Sequence, residues 1–183
     1  MIDNLCTQFE LPEGMQLYAT AIERTGSRRA AETAAVKRLT AHAFGTDAGL
    51  EHNPDGSPFI KGSGAAISIS HSQTHAFLAI YHGQRIGLDA ELPRQQLVRV
   101  APKFLSAQEL NLWHTIDDLL TAWTIKESVY KAAGTPGLPL TAISLPERNS
   151  HQPVASIPDG RRFRLFINHT ESHAITIAIP AHE

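Results

Sequence analysis

The segment Trp123-Thr-Ile-Lys-Glu-Ser-Val-Tyr-Lys131 sets a carboxylate in the middle of an apolar helical stripe. Leu120, Trp123, Glu127 and Tyr130 stand at i, i+3, i+7 and i+10, which fits a helix period of about 3.6 residues. Glu127 is therefore predicted to look inward, where an ionised carboxylate is costly unless a cation or several donors meet it. Lys131, one turn further on, is such a cation, although an ordinary ion pair on a helix surface explains the same spacing. Lys126 lies about 100° around the helix from Glu127, facing either a ligand's edge or solvent.

A second acidic pattern occurs at Arg85-Ile-Gly-Leu-Asp-Ala-Glu91. At a strand's period of two, Gly87, Asp89 and Glu91 share one face, and Ile86, Leu88 and Ala90 share the other. Gly87 would allow a ligand to approach the backbone beside the acids. Adjacent carboxylates repel unless a cation or water lies between them, so an exposed strand end is one reading. Joined with Glu127, Asp89 and Glu91 form a three-carboxylate oxygen site, whose hard donors suit Mg²⁺ or Mn²⁺ rather than Zn²⁺.

These pieces belong to an ordered set: Asn53-Pro-Asp-Gly-Ser-Pro-Phe59, Ile69-Ser-His-Ser72, Ile86-Gly-Leu-Asp-Ala-Glu91, Lys103-Phe-Leu-Ser-Ala-Gln-Glu109 and Trp123 to Lys131. In that order they resemble the 4′-phosphopantetheinyl transferases, specifically the surfactin-type monomeric branch. The resemblance implies transfer of the phosphopantetheine arm of coenzyme A to a serine of an apo acyl or peptidyl carrier protein, with release of adenosine 3′,5′-bisphosphate. It implies Mg²⁺ held by Asp89, Glu91 and Glu127, with Glu127 or a metal-bound water as general base. Lys131 would neutralise a phosphate oxygen, and Ser70 and His71 would contact the substrate's phosphates. His71 also reads as a core or loop histidine bonded to a carbonyl.

The sequence departs from the family pattern in two places. Basic residues of the first helix, Arg28, Arg29, Lys37 and Arg38, are candidates to meet the 3′-phosphate of coenzyme A. Lys37 stands where an arginine usually follows the first helix's acid, at the Glu32–Lys37 spacing, which keeps the charge but loses the bidentate fork. Gly56-Ser57-Pro58 replaces the usual Gly-Lys-Pro, so a lysine expected beside the nucleotide phosphates is missing and Lys61 is the candidate substitute. Phe104 and Leu105 read either as core residues or as exposed anchors for the carrier.

The elements that would position these groups follow from pattern and caps. A strand is predicted near Met15 to Ile22, then a helix from an N-cap at Ser27 to Gly45. Strands follow near 57–60, 65–70, 76–82 and 85–91, helices near 95–103, 106–114 and 117–134, and strands near 138–145, 162–168 and 173–180. Ile69-Ser-His-Ser-Gln-Thr-His-Ala76 recurs as Ile167-Asn-His-Thr-Glu-Ser-His-Ala174, with four of eight positions identical. A chance match and a duplicated lobe both account for it. The expected fold is α+β: two related lobes, residues 1–91 and 92–183, each a helix packed on a mostly antiparallel sheet. The family resemblance adds pseudo-twofold symmetry and a site between the lobes in a monomer.

Composition bounds the alternatives. The 183 residues are 42% hydrophobic, enough for a sizeable core. A net charge of −2 gives no general attraction to nucleic acid or an anionic membrane. A single cysteine, Cys6, excludes an intrachain disulfide and a thiolate metal cluster. The start of the chain lacks a basic-then-apolar leader, and no stretch is long enough to span a bilayer, so a cytoplasmic location is expected. Besides an active transferase, two alternatives stay open: a non-catalytic homologue that binds coenzyme A or a carrier, and an unrelated Mg²⁺-dependent phosphodiesterase.

Overall fold

The computed structural model describes residues 1–24 and 26–181. Among these residues ten strands and four α-helices follow one another as β1 (Ile2–Asn4), β2 (Gln16–Ala21), α1 (Arg28–Phe44), β3 (Leu50–His52), β4 (Pro58–Ile60), β5 (Ala65–His71), β6 (His75–His82), β7 (Gly87–Glu91), α2 (Gln96–Val100), α3 (Ala107–Leu112), α4 (Ile116–Ala133), β8 (Val154–Ser156), β9 (Arg162–His169) and β10 (Ala174–Pro180). They form two antiparallel sheets, one ordered β1-β2-β6-β5-β4-β3 and the other β7-β10-β9-β8. The architecture is mixed α and β, as the sequence predicts.

Alternation along the strands builds the layers. Leu17, Ala19, Phe77 and Ala79 of the six-stranded sheet pack against Leu88, Ala90, Ile175 and Ile177 of the four-stranded one. On its outer face the first sheet sends Ile67, Ala76 and Leu78 to Ala35 and Leu39 of α1. The second sheet sends Phe163, Leu165 and Ala178 to Ile125 and Val129 of α4. The layer order is therefore α1, six-stranded sheet, four-stranded sheet, α4. Burial of these large apolar side chains contributes roughly 1.5–3 kcal/mol apiece.

The strand over residues 87–91, which the sequence reading set at the end of the first lobe, pairs with β10 in the second sheet. Its free edge faces β5, where two serines replace a backbone ladder. The Leu88 N–H donates to Ser68 Oγ at 2.9 Å and the Ala90 N–H to Ser70 Oγ at 3.2 Å. Ser68 and Ser70, two residues apart on β5, thus fasten one sheet to the other through a polar seam.

Helix α4 is closed at both ends. Thr115 and Asp118 form a capping box, and Gly134 takes the left-handed conformation at φ 56° that ends the helix. Gly87 has a different task from the ligand approach that the sequence suggested. A Cβ there would fall 1.9 Å from the Ser128 carbonyl oxygen and 2.7 Å from the Ala132 nitrogen. Glycine is needed because α4 lies directly on β7.

The two repeated segments adopt matching hairpin turns. The Ser72 N–H donates to the His75 carbonyl and the Thr170 N–H to the His173 carbonyl, both at 2.9 Å. In each turn a hydroxyl, Ser72 Oγ or Thr170 Oγ1, accepts from the two following N–H groups that close the loop. The hairpins also touch, because Ser72 Oγ lies 2.9 Å from His173 Nε2. The predicted strand at 138–145 is instead a 3₁₀ turn at Leu140–Ala142 with a single bridge at Ser144. Pro139 at its entry lacks the N–H that a ladder needs.

Candidate active site

The acids come together where β7 meets α4. Asp89 points from β7 toward the helix, 5% exposed, and Lys131 Nζ reaches it from α4 at 2.8 Å while also donating to the Leu88 carbonyl at 2.7 Å. Ser70 Oγ donates to the same Asp89 Oδ1 at 3.0 Å. Asp89 Oδ2 is buried and accepts no hydrogen bond among the described residues. A buried carboxylate oxygen without a partner costs on the order of 1–3 kcal/mol, more when charged, so it marks a place where a cation or donor is wanted.

Glu91 and Glu127 flank Asp89. Glu91 is half-buried and 3.3 Å from Arg94. Its carboxyl is pushed up by burial and then by Asp89, against Arg94, Lys131 and the Trp123 indole. Glu127 is also half-buried, as the helical stripe predicts, although Tyr130 on that stripe is 36% exposed. Burial, then the Asp89 charge, raise Glu127, with Lys131 opposing and Glu91 adding to the rise. Its carboxylate makes no hydrogen bond among the described residues. Three carboxylates thus share one electrostatic neighbourhood with a single ammonium among them. Among the described residues no three Asp, Glu, His or Cys groups converge closely enough to enclose a metal ion.

The remaining predicted residues are dispersed. His71 is exposed at the end of β5, with Nδ1 3.8 Å from Glu32, which is itself paired to Arg28 at 2.6 Å. Lys37 lies exposed on α1 and Lys61 exposed on the turn after β4. Neither lines the cleft of about 700 Å³ that runs beside Lys131 between α4, β5 and the 53–58 loop. Phe104 and Leu105 are core, at 0% and 2% exposure.

Lys126 is neither solvated nor at a ligand's edge. It is fully buried, with Nζ 2.7 Å from both Glu109 Oε2 and the Ile143 carbonyl. Glu109 also accepts from the Ser106 and Leu145 N–H groups, at 2.8 and 3.1 Å. Burial works against its charge, but the Lys126 bond and these donors outweigh it and hold the carboxyl below its ordinary range.

Sequence reasoning missed the fastening role of Ser70, the pairing of Arg94 with Glu91, and Arg85 on the cleft wall. The Ser68-x-Ser70 alternation on a strand was a usable signal for the first. The other two depend on how loops fold back and left none.

A family model described as the 4′-phosphopantetheinyl transferase superfamily matches residues 85–178, just over half the chain, and spans β7, α4 and all three carboxylates. The chain belongs to that superfamily. None of the curated proteins compared with the chain matches it. No helix among the described residues is long and apolar enough to cross a membrane.

Proposed function

We propose that this protein is an active transferase of the surfactin-type branch, moving the 4′-phosphopantetheine group of coenzyme A onto a serine of an acyl or peptidyl carrier protein. One observation carries the reading: within the family-matched segment, Asp89 is held by Lys131 and Ser70 with its second oxygen buried and open, beside two acids whose protons are retained more tightly than usual. Two lobes related by a pseudo-twofold axis, with the site where they meet, belong to the same reading. A monomer in the cytoplasm is the setting it favours.

The donor set fits Mg²⁺ or Mn²⁺, because all three side chains offer hard oxygens and Asp89 Oδ2 lacks a partner. The three do not close a cage among the described residues, so water and substrate would have to complete the shell, as Mg²⁺ usually requires. Asp89, Glu91 and Glu127 would hold the ion. When bound, it would neutralise charge on the pyrophosphate during attack by the serine hydroxyl.

The chain's own groups supply the rest. Ser70 fixes the rotamer of Asp89 from the sheet seam. Lys131 is positioned to donate to a phosphate oxygen as negative charge builds on the leaving side. Glu127, unbonded and with raised proton affinity, accepts the serine proton directly or through a water. Ser70 and His71 approach from the β5 side, and the exposed Lys37 and Lys61 act on the substrate phosphates only at long range.

The binding-only alternative draws on one observation, the lack of a closed three-acid cage. The deciding test is the intact mass of an apo acyl carrier protein after incubation with the protein, coenzyme A and Mg²⁺. Addition of one phosphopantetheine that requires the metal and is lost in Asp89→Ala is expected. No addition across several carriers, with coenzyme A still bound, would establish the binding-only protein instead.

A further inference from the structure

The three acids are held in three different ways. Asp89 is bonded to Lys131 and Ser70, Glu127 to nothing among the described residues, and Glu91 Oε1 accepts from Arg94 Nη2 at 3.3 Å. That last bond is long, since charge-assisted pairs usually close to about 2.7–2.9 Å. Both side chains also reach solvent, Arg94 at 37% and Glu91 at 21% exposure. A pair of this kind is weak and opens easily. The proposed chemistry gives Arg94 no task.

The arginine is anchored independently of Glu91. Its carbonyl accepts from the Leu97 N–H at 3.2 Å in the turn that opens α2, and Leu97 is fully buried. Its guanidinium carbon lies 5.7 Å from the centroid of the Trp123 ring, which in turn packs edge-on against the buried Phe104, with centroids 5.1 Å apart. A guanidinium stacked on an indole keeps that part of its interaction energy when its carboxylate is taken away. Arg94 also changes the local charge. With Arg94 and Lys131 facing Asp89, Glu91 and Glu127, the five side chains carry one net negative charge when all three acids are ionised; without Arg94 they would carry two. A divalent cation is attracted less by the first arrangement than by the second.

We propose that Arg94 is a built-in counter-ion that competes with the divalent metal for Glu91 and so sets how tightly the ion is held. The inference rests on the reading of Asp89, Glu91 and Glu127 as the metal-holding acids. It accounts for their lack of closure, because Glu91 is engaged by the guanidinium while Asp89 Oδ2 stays open. An arriving divalent ion displaces Arg94 from Glu91 Oε1, and the guanidinium stays on the Trp123 face. An ion that the protein holds loosely keeps room in its shell for substrate oxygens. The contrary role, in which Arg94 holds Glu91 in the posture that metal binding needs, predicts the opposite sign when the arginine is removed.

The test measures Mn²⁺ affinity of the full chain from the electron paramagnetic resonance signal of the free ion. Wild type is compared with Arg94→Ala, Arg94→Gln and Arg94→Lys, and Asp89→Asn is the control that locates the ion. The two neutral variants should bind Mn²⁺ about threefold to tenfold more tightly than wild type, as removal of one partly exposed cation beside the site gives. Arg94→Lys keeps the charge and should stay within about twofold of wild type. Should Arg94→Ala fold poorly, Arg94→Gln, which keeps a planar group over Trp123, carries the test. Unchanged or weaker binding in the neutral variants overturns the proposal and leaves the transferase reading standing. An equal gain in Arg94→Lys would also overturn competition by charge. No Asp89-dependent binding in wild type or in any variant overturns the metal reading of the acids as well.

Discussion

Helix α4 carries two lysine–carboxylate pairs that are chemically alike and physically opposite. Lys126 is 0% exposed, and its Glu109 partner also accepts two backbone N–H groups. Lys131 is 30% exposed, and its Asp89 partner keeps one buried oxygen without a bond. The first pair is saturated and ties α4 to α3 and to the chain before β8. The second leaves acceptor capacity and two further acids around one ammonium. A closed network acts as a fastener, whereas an open one in the same helix is what the proposed transferase needs at its ligand site.

Breaking the closed pair should have the largest effect, and on stability. Glu109→Ala strands a buried ammonium and should cost about 3–5 kcal/mol in chemical denaturation. Replacing both partners, Lys126→Met with Glu109→Gln, should recover much of that loss. Recovery would show that the pair serves fit rather than chemistry.

The open pair should respond in the reverse sense. Asp89→Asn is expected to lower transfer to a carrier by about a hundredfold or more, with stability changed by under about 1.5 kcal/mol in the same denaturation assay. A large stability loss with little effect on transfer would make Asp89 a second fastener.

His173 offers a third, pH-dependent contrast. It is buried, with its ring nitrogens 2.9 Å from Ser72 Oγ and 2.8 Å from Ser172 Oγ. Burial, then the neighbouring His75, lower its pKa from 6.5 to about 4. The folded form therefore binds the proton less readily than the unfolded chain, so stability is full above about pH 6.5 and is lost as pH falls toward 4. Thermal melts at pH 7 and pH 5 should differ by at most about 2 kcal/mol from this group, and His173→Asn should reduce the difference.

The smallest effects are expected at the exposed cations. Lys37→Ala and Lys61→Ala should each change the coenzyme A dissociation constant by no more than about threefold. A tenfold change at either would move the phosphate contacts from the cleft to the rim.

Much of this arrangement was legible in the letters. The two-residue alternation over 87–91 placed Asp89 on the face opposite Leu88 and Ala90, and the helical stripe brought Glu127 toward it, because periodicity fixes which face a side chain takes. Ser27, Gly45 and Gly134 marked helix ends through capping chemistry. Strands β1, β3 and β8, three residues each, were not read from the sequence. Lys126 misled for a physical reason: charge on a helix is normally solvated, and Glu109 and the Ile143 carbonyl, both far off in sequence, make its burial tolerable. Gly87 was read as room for a ligand, but the α4 backbone fills that room. Arg85 reaches the cleft because a turn and a helix end meet in space, which one-dimensional spacing does not encode.

The central claim is that Glu127, beside Asp89 and Glu91, serves the chemical step rather than the fold or substrate capture. The most direct measurement is single-turnover transfer to an apo acyl carrier protein by Glu127→Gln, together with its coenzyme A affinity. Loss of transfer by about 10²–10⁴-fold with coenzyme A bound within a few-fold of wild type is the predicted result. Transfer at the wild-type rate by Glu127→Gln would contradict it.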